Sequence, residues 1–132
     1  MKILEDKKMV IAIDFDGTLT EKNIFPEIGK AREHAFEAIR HFQKLGHKCI
    51  LWTCRYSQSL IEAINWLALN NVKMDAYNEN LYPLQSRKIV ADVYIDDKNV
   101  FMVDNVDWYK IEEYVLSLGN KETKIIKGEN DA

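Results

Sequence analysis

Residues 9–20 read MVIAIDFDGTLT, and the fold is decided there. Met9 to Ile13 is a short apolar run rich in β-branched residues, the composition of a strand buried on both faces. It stops at Asp14, and Asp16, Gly17 and Thr18 follow at once. Such a strand end suits an open parallel sheet, in which ligands bind beyond the carboxyl ends of the strands.

Outward from this stretch the same pattern recurs. Residues 15–28 read as loop. From Lys30 to Leu45, Ala31, Ala35, Ile39, Phe42 and Leu45 fall at helical spacing, and Gly46 stands where a helix C-cap belongs. Lys48 to Thr53 is a second buried strand. Leu60, Ile61, Ile64, Leu67 and Ala68 make a second amphipathic helix that ends near Asn70 and Asn71. Val72 to Tyr77 reads as a short third strand, Asn78 to Ser86 as a polar loop, and Ala91 to Ile95 as a fourth strand. Trp108, Ile111, Val115 and Leu118 build a last helix, capped by Asp107. Alternating strands and helices predict right-handed βαβ units. The expected architecture is an α/β three-layer sandwich: a central, mostly parallel, Rossmann-like sheet with helices on both faces. The expected organisation is one domain over residues 1–120 and a polar tail over 121–132.

Composition narrows the function. The 132 residues are 47% apolar and 30% charged, which is globular usage, and 18 basic against 21 acidic residues give a net charge of −3. That balance disfavours nonspecific binding to nucleic acid or anionic membrane. No apolar run approaches the ~20 residues of a membrane span, and the first residues lack the apolar core of a secretory signal. A cytoplasmic domain without a membrane partner is expected. Two cysteines, Cys49 and Cys54, and three histidines fit neither a disulfide scaffold nor a zinc site. Cys49 and Arg55 have the spacing of a cysteine-dependent phosphatase, but the residues between them belong to a strand whose amides cannot wrap a phosphate. Cys54 is expected to be buried, and the histidines to lie at the surface. Trp52, Trp66 and Trp108 are expected to pack rather than to stack on a ligand.

Polar residues gather where strands end. The first strand ends in Asp14 and Asp16, the second in Thr53 and Arg55, the fourth in Asp96 and Asp97, and Lys88 precedes the fourth. A parallel sheet brings these to one edge. Several carboxylates crowded together call for a cation, and oxygen donors with phosphate suit Mg²⁺. One Asp can then attack phosphorus, a second can move a proton, and Thr53 and Lys88 can hold phosphoryl oxygens.

Asp14-Phe15-Asp16-Gly17-Thr18, Thr53, Lys88 and the pair Asp96-Asp97 resemble, in order and over roughly residues 9–105, the four motifs of the haloacid dehalogenase-like superfamily. The resemblance implies that Asp14 is the nucleophile and that Asp16 protonates the leaving group and then activates water. It implies that Thr53 and Lys88 bind phosphate, Lys88 also restraining Asp14. Asp14, the Asp16 carbonyl and Asp96 would ligate Mg²⁺, with Asp97 direct or through water. An acid at position 16 points to phosphomonoester hydrolysis through an aspartyl-phosphate rather than to dehalogenation or ion pumping. Gly17, Thr18, Arg55 and Asn99 adjoin the motifs and are expected to touch substrate or to orient the groups that do.

Family caps are inserted after the first motif or between the second and third, and neither interval here has room for one. A capless core is implied, closed by its substrate, by another subunit of a homo-oligomer, or by nothing. The substrate is a phosphorylated small molecule or macromolecule. Nucleic-acid end processing is an alternative that the net charge and the lack of a basic cluster disfavour. A phosphate-binding module without turnover is another, and a receiver-type signalling domain fails on the order of its motifs.

Overall fold

The computed structural model describes residues 8–82 and 86–118. Strands β1 (Val10–Ile13), β2 (Lys48–Leu51), β3 (Ala76–Tyr77) and β4 (Val93–Ile95) form one sheet in the order β3-β2-β1-β4. Every pairing is parallel, with Ile13 opposite Leu51 and Ile95. Helices α1 (Ala35–Lys44) and α2 (Ser57–Leu69) are the crossovers, and α3 spans 108–118. The expected α/β architecture and its central parallel sheet are present.

The layers are unequal. Ile11, Ile13, Cys49, Leu51 and Ile95 share one core with Ala38 and Phe42 of α1, Ala63 and Leu67 of α2, and Trp108 and Val115 of α3. The chain moves from β1 to β2 to β3 in one direction, so right-handed crossovers put α1 and α2 on the same face. Over the opposite face, among the described residues, runs irregular chain. Asn80 Oδ1 accepts the Val90 N–H at 2.7 Å, and the Tyr94 hydroxyl donates to the Ile89 carbonyl at 2.5 Å. These hydrogen bonds hold the described part of that loop in place. The boundary expected at residue 120 lies outside the described residues.

Element ends differ from the sequence reading for local reasons. The first helix starts at Ala35, not near Lys30, because residues 30–32 are used elsewhere: Glu21 N–H donates to the Lys30 carbonyl (2.7 Å) and Arg32 N–H to the Leu19 carbonyl (2.8 Å). It ends as expected at Gly46, whose φ is +95°. There the His47 N–H reaches back to the Phe42 carbonyl and the Gly46 N–H to that of Gln43, both at 3.0 Å, closing a Schellman turn. His47 itself is buried, contrary to expectation, because its Nδ1 accepts the Met9 N–H at 3.0 Å. β2 stops at Leu51, although the Trp52 N–H still donates to the Ile13 carbonyl (2.8 Å). β3 and β4 are shorter than the apolar runs suggested, and Val72 and Met74 fill the core from irregular backbone.

α3 opens as predicted, Asp107 Oδ1 accepting the Tyr109 N–H at 3.0 Å. Trp108 follows, 1% exposed, and its indole N–H donates to the Thr18 carbonyl at 2.9 Å. One residue thus seals the core and pins the loop after β1. Trp108→Phe removes the donor, strands the Thr18 carbonyl and leaves a void. It is expected to cost about 2 kcal/mol in a urea unfolding experiment.

Candidate active site

β1 ends at Ile13, and one further ladder bond, Asp14 N–H to the Ile95 carbonyl (2.9 Å), fixes where the Asp14 side chain leaves the sheet. β4 runs alongside and delivers Asp96 and Asp97 at the same level. The carboxylates of Asp14, Asp96 and Asp97, all half-buried, bring ligand atoms within 4.8 Å of one another. Thr18, wholly buried, sits between two of them. Its hydroxyl lies 3.0 Å from Asp14 Oδ2 and 3.2 Å from Asp97 Oδ1, with one proton to give, and it accepts the Asp97 N–H at 2.9 Å.

Gly17 is required for this approach. Its φ is +84°, and a Cβ there would lie 2.5 Å from Asp97 Oδ2. The loop is held from three sides: Gly17 N–H donates to Thr20 Oγ1 (2.9 Å), Arg32 Nη2 donates to the Gly17 carbonyl (2.8 Å), and Trp108 holds Thr18. Thr20 closes the first motif stretch, but nothing local marks Arg32, which lies well beyond it in the chain.

Burial pushes the Asp14 carboxyl up to about 7; the Thr18 hydrogen bond opposes this and the neighbouring Asp96 charge adds to it. The unfolded chain releases the same proton near 3.8. The stability contributed by neutral Asp14 is therefore complete below about 3.8 and is lost as pH rises through about 7. Asp14→Asn keeps the shape and cannot ionise. In EDTA it is expected to melt higher than the parent at pH 8.5, by on the order of 5 °C, with about half that gain at pH 5.5 and little at pH 4, as thermal scans would read.

Asp16 faces a different partner. Its two oxygens accept from Arg55, Oδ2 from Nε at 2.7 Å and Oδ1 from Nη2 at 2.8 Å, with the Arg55 side chain 0% and that of Asp16 10% exposed. The guanidinium also donates to the carbonyls of Pro26, Glu27 and Ser59 and lies 5.1 Å from the ring centroids of both Phe15 and Phe25. One buried cation thus ties the motif loop, the 25–27 turn and α2 together.

Thr53 lies in the turn after β2, where its hydroxyl accepts the Arg55 N–H at 3.1 Å. Asn78, beyond β3, clamps that turn: Oδ1 accepts the Thr53 N–H (2.8 Å) and Nδ2 donates to the Arg55 carbonyl (3.0 Å). Its φ of +54° suits Asn better than most residues. Lys88 is exposed, its ammonium 5.2 Å from the Tyr94 ring centroid. Among the described residues no hydrogen bond or ion pair joins Thr53 or Lys88 to Asp14. Lys98 Nζ, by contrast, lies 3.7 Å from Asp97 Oδ2. Asn99 is exposed in the turn after the acidic pair, where its Oδ1 accepts the Phe101 N–H at 3.2 Å.

Cys49 is no nucleophile. Burial, then the Asp75 charge, push the Cys49 thiol up, away from the thiolate a cysteine phosphatase needs. Cys54 is exposed rather than buried as expected, since the chain leaves the sheet before reaching it.

A family model for haloacid dehalogenase-like hydrolases matches residues 11–130. A solved structure of a conserved protein from Bacteroides thetaiotaomicron is 37% identical and superposes with a TM-score of 0.77, over 84% of this chain and 92% of that one. No curated protein matches the chain.

Proposed function

Because the chain belongs to the haloacid dehalogenase-like hydrolases, we propose that it is a Mg²⁺-dependent phosphomonoester hydrolase that works through an aspartyl-phosphate at Asp14. The observation that carries the reading is the meeting of Asp14, Asp96 and Asp97 within 4.8 Å. Three carboxylates at that distance repel, and a donor set made only of carboxylate oxygens fits a hard divalent cation. Asp14, Asp96 and Asp97 would hold it. Bound there, the cation would neutralise charge on the transferring phosphoryl group.

The chain's own residues supply the rest. An Asp14 oxygen attacks phosphorus as the ester P–O bond breaks, and the leaving oxygen takes a proton. Water then attacks the same phosphorus, releasing inorganic phosphate and restoring Asp14. Two such steps are easier than one direct attack. Thr18 orients Asp14, which fixes its attacking oxygen. Asp16 is the proposed proton carrier. In the observed arrangement both its oxygens accept from Arg55, so the transfer requires one of those bonds to open. Thr53 and Lys88 are the proposed phosphate contacts. The intervals 14–53 and 53–88 hold, among the described residues, only the elements of the core, which supports a capless, open site acting on a phosphorylated small molecule or macromolecule. No helix among the described residues is long and apolar enough to cross a membrane, and a cytoplasmic location is part of the proposal.

The test is release of p-nitrophenol from p-nitrophenyl phosphate by purified protein with Mg²⁺ and with EDTA. The proposal expects turnover in Mg²⁺ only. Well-folded protein inert toward this ester and toward a broad panel of phosphomonoesters would contradict it.

A further inference from the structure

Trp52 differs from the other tryptophans. It directly follows β2, and the register that pairs Ile13 with Leu51 continues one step, since the Trp52 N–H donates to the Ile13 carbonyl at 2.8 Å. That sets Trp52 opposite Asp14 on the neighbouring strand, where parallel chains run about 5 Å apart. Ile13 and Leu51 face the helix core, so alternation turns Asp14 and Trp52 together toward the other face. Tyr94, paired with Ala12 from β4, lies on that face too.

β2 and β4 flank β1, yet the Trp52 and Tyr94 rings meet, centroids 5.5 Å apart at 69°. Ala12 of β1, 0% exposed, stands opposite Tyr94 in the register, and a residue that small on the central strand suits a contact between side chains of its two neighbours. Tyr94 is fixed in turn, its hydroxyl bonded to the Ile89 carbonyl and accepting the Ala91 N–H, and Lys88 stands over its ring. The result is a preorganised aromatic floor beside Asp14. The outer part of Trp52 is left bare at 36% exposure, whereas Ile50 and Leu51 before it are wholly covered.

We infer that Trp52, braced by Tyr94, is a stacking subsite for the leaving group, and that the preferred substrates are phosphate monoesters carrying a flat, aromatic group close to phosphorus. The inference rests on the phosphomonoesterase reading above. An open site cannot close a lid over its substrate, so a rigid aromatic face next to the nucleophile supplies the orientation. Stacking on one aromatic side chain changes affinity roughly 5- to 150-fold.

Benzyl phosphate and cyclohexylmethyl phosphate test this, because both release a primary alcohol of similar size and only one is flat. The wild-type protein is expected to favour benzyl phosphate in kcat/KM. Trp52→Leu should lower that value about tenfold while changing the value for cyclohexylmethyl phosphate less than about twofold, and Trp52→Phe should restore most of the difference. Equal use of the two esters by the wild type, or an equal loss on both in Trp52→Leu protein of unchanged thermal stability, would overturn it. Binding of benzylphosphonate, which cannot be hydrolysed, reads the same contrast by calorimetry with Mg²⁺ present. Tight, Trp52-dependent binding without turnover of either ester would defeat the hydrolase reading and leave the subsite standing; binding indifferent to Trp52 would defeat the subsite.

Discussion

Asp14→Asn is expected to lower kcat for phosphomonoester hydrolysis by at least roughly a thousandfold, the scale on which loss of a covalent nucleophile is felt. The side chain keeps its volume and can still accept from Thr18, which lies 3.0 Å away, so the loss is chemical. The folded state provides its own control. Burial disfavours the ionised form of Asp14, so the Asn variant should be more stable than its parent in EDTA above pH 7. A variant that is inactive and better folded cannot owe its inactivity to unfolding. Activity within about tenfold of the parent would place the nucleophile elsewhere.

The second large effect is on stability. Arg55→Met is expected to lower the unfolding free energy by about 3–5 kcal/mol, the cost of leaving one member of a buried ion pair without its partner. Asp16, 10% exposed, would lose both of its hydrogen bonds from Arg55, and the carbonyls of Pro26, Glu27 and Ser59 would each lose a donor. Adding Asp16→Asn to the Met variant removes the stranded charge and should recover part of the loss. Urea unfolding of the two single variants and the double variant gives the coupling directly. Additive single effects would mean that the pair contributes nothing jointly.

Much of this was legible in the sequence because parallel sheets impose a simple rule. Apolar runs that stop at Asp14, at Thr53 and at Asp96 must end on one edge if the strands are parallel, and the meeting of Asp14 with Asp96 and Asp97 follows from that alone. Gly46 and Asp107 were readable as caps because their chemistry is local. What escaped was long-range. Helical periodicity from Lys30 looked sound, yet residues 30–32 pair with 19–21, a contact no local pattern announces. Arg55 stood out by its place after β2, but its partner Asp16 lies 39 positions away. Asn78 sat in a polar loop with no mark to separate it from Asn80, and only the folded chain brings it to the Thr53 turn. His47 escapes for the same reason, since its buried role depends on the Met9 amide just before the neighbouring strand. Trp52 does pack, as expected, but its partner is Tyr94 of β4, on the far side of β1, and nothing among its sequence neighbours announces that contact.

Covalent chemistry at Asp14 leaves an intermediate that can be trapped. Protein turning over p-nitrophenyl phosphate with Mg²⁺ would be quenched in acid and reduced with borohydride, which converts an aspartyl-phosphate to homoserine, and the peptide spanning residues 9–20 weighed by mass spectrometry. Homoserine is expected at position 14, absent without substrate and absent in EDTA. Steady phosphate release with position 14 unmodified, or with the label at Asp16, Asp96 or Asp97, would contradict it.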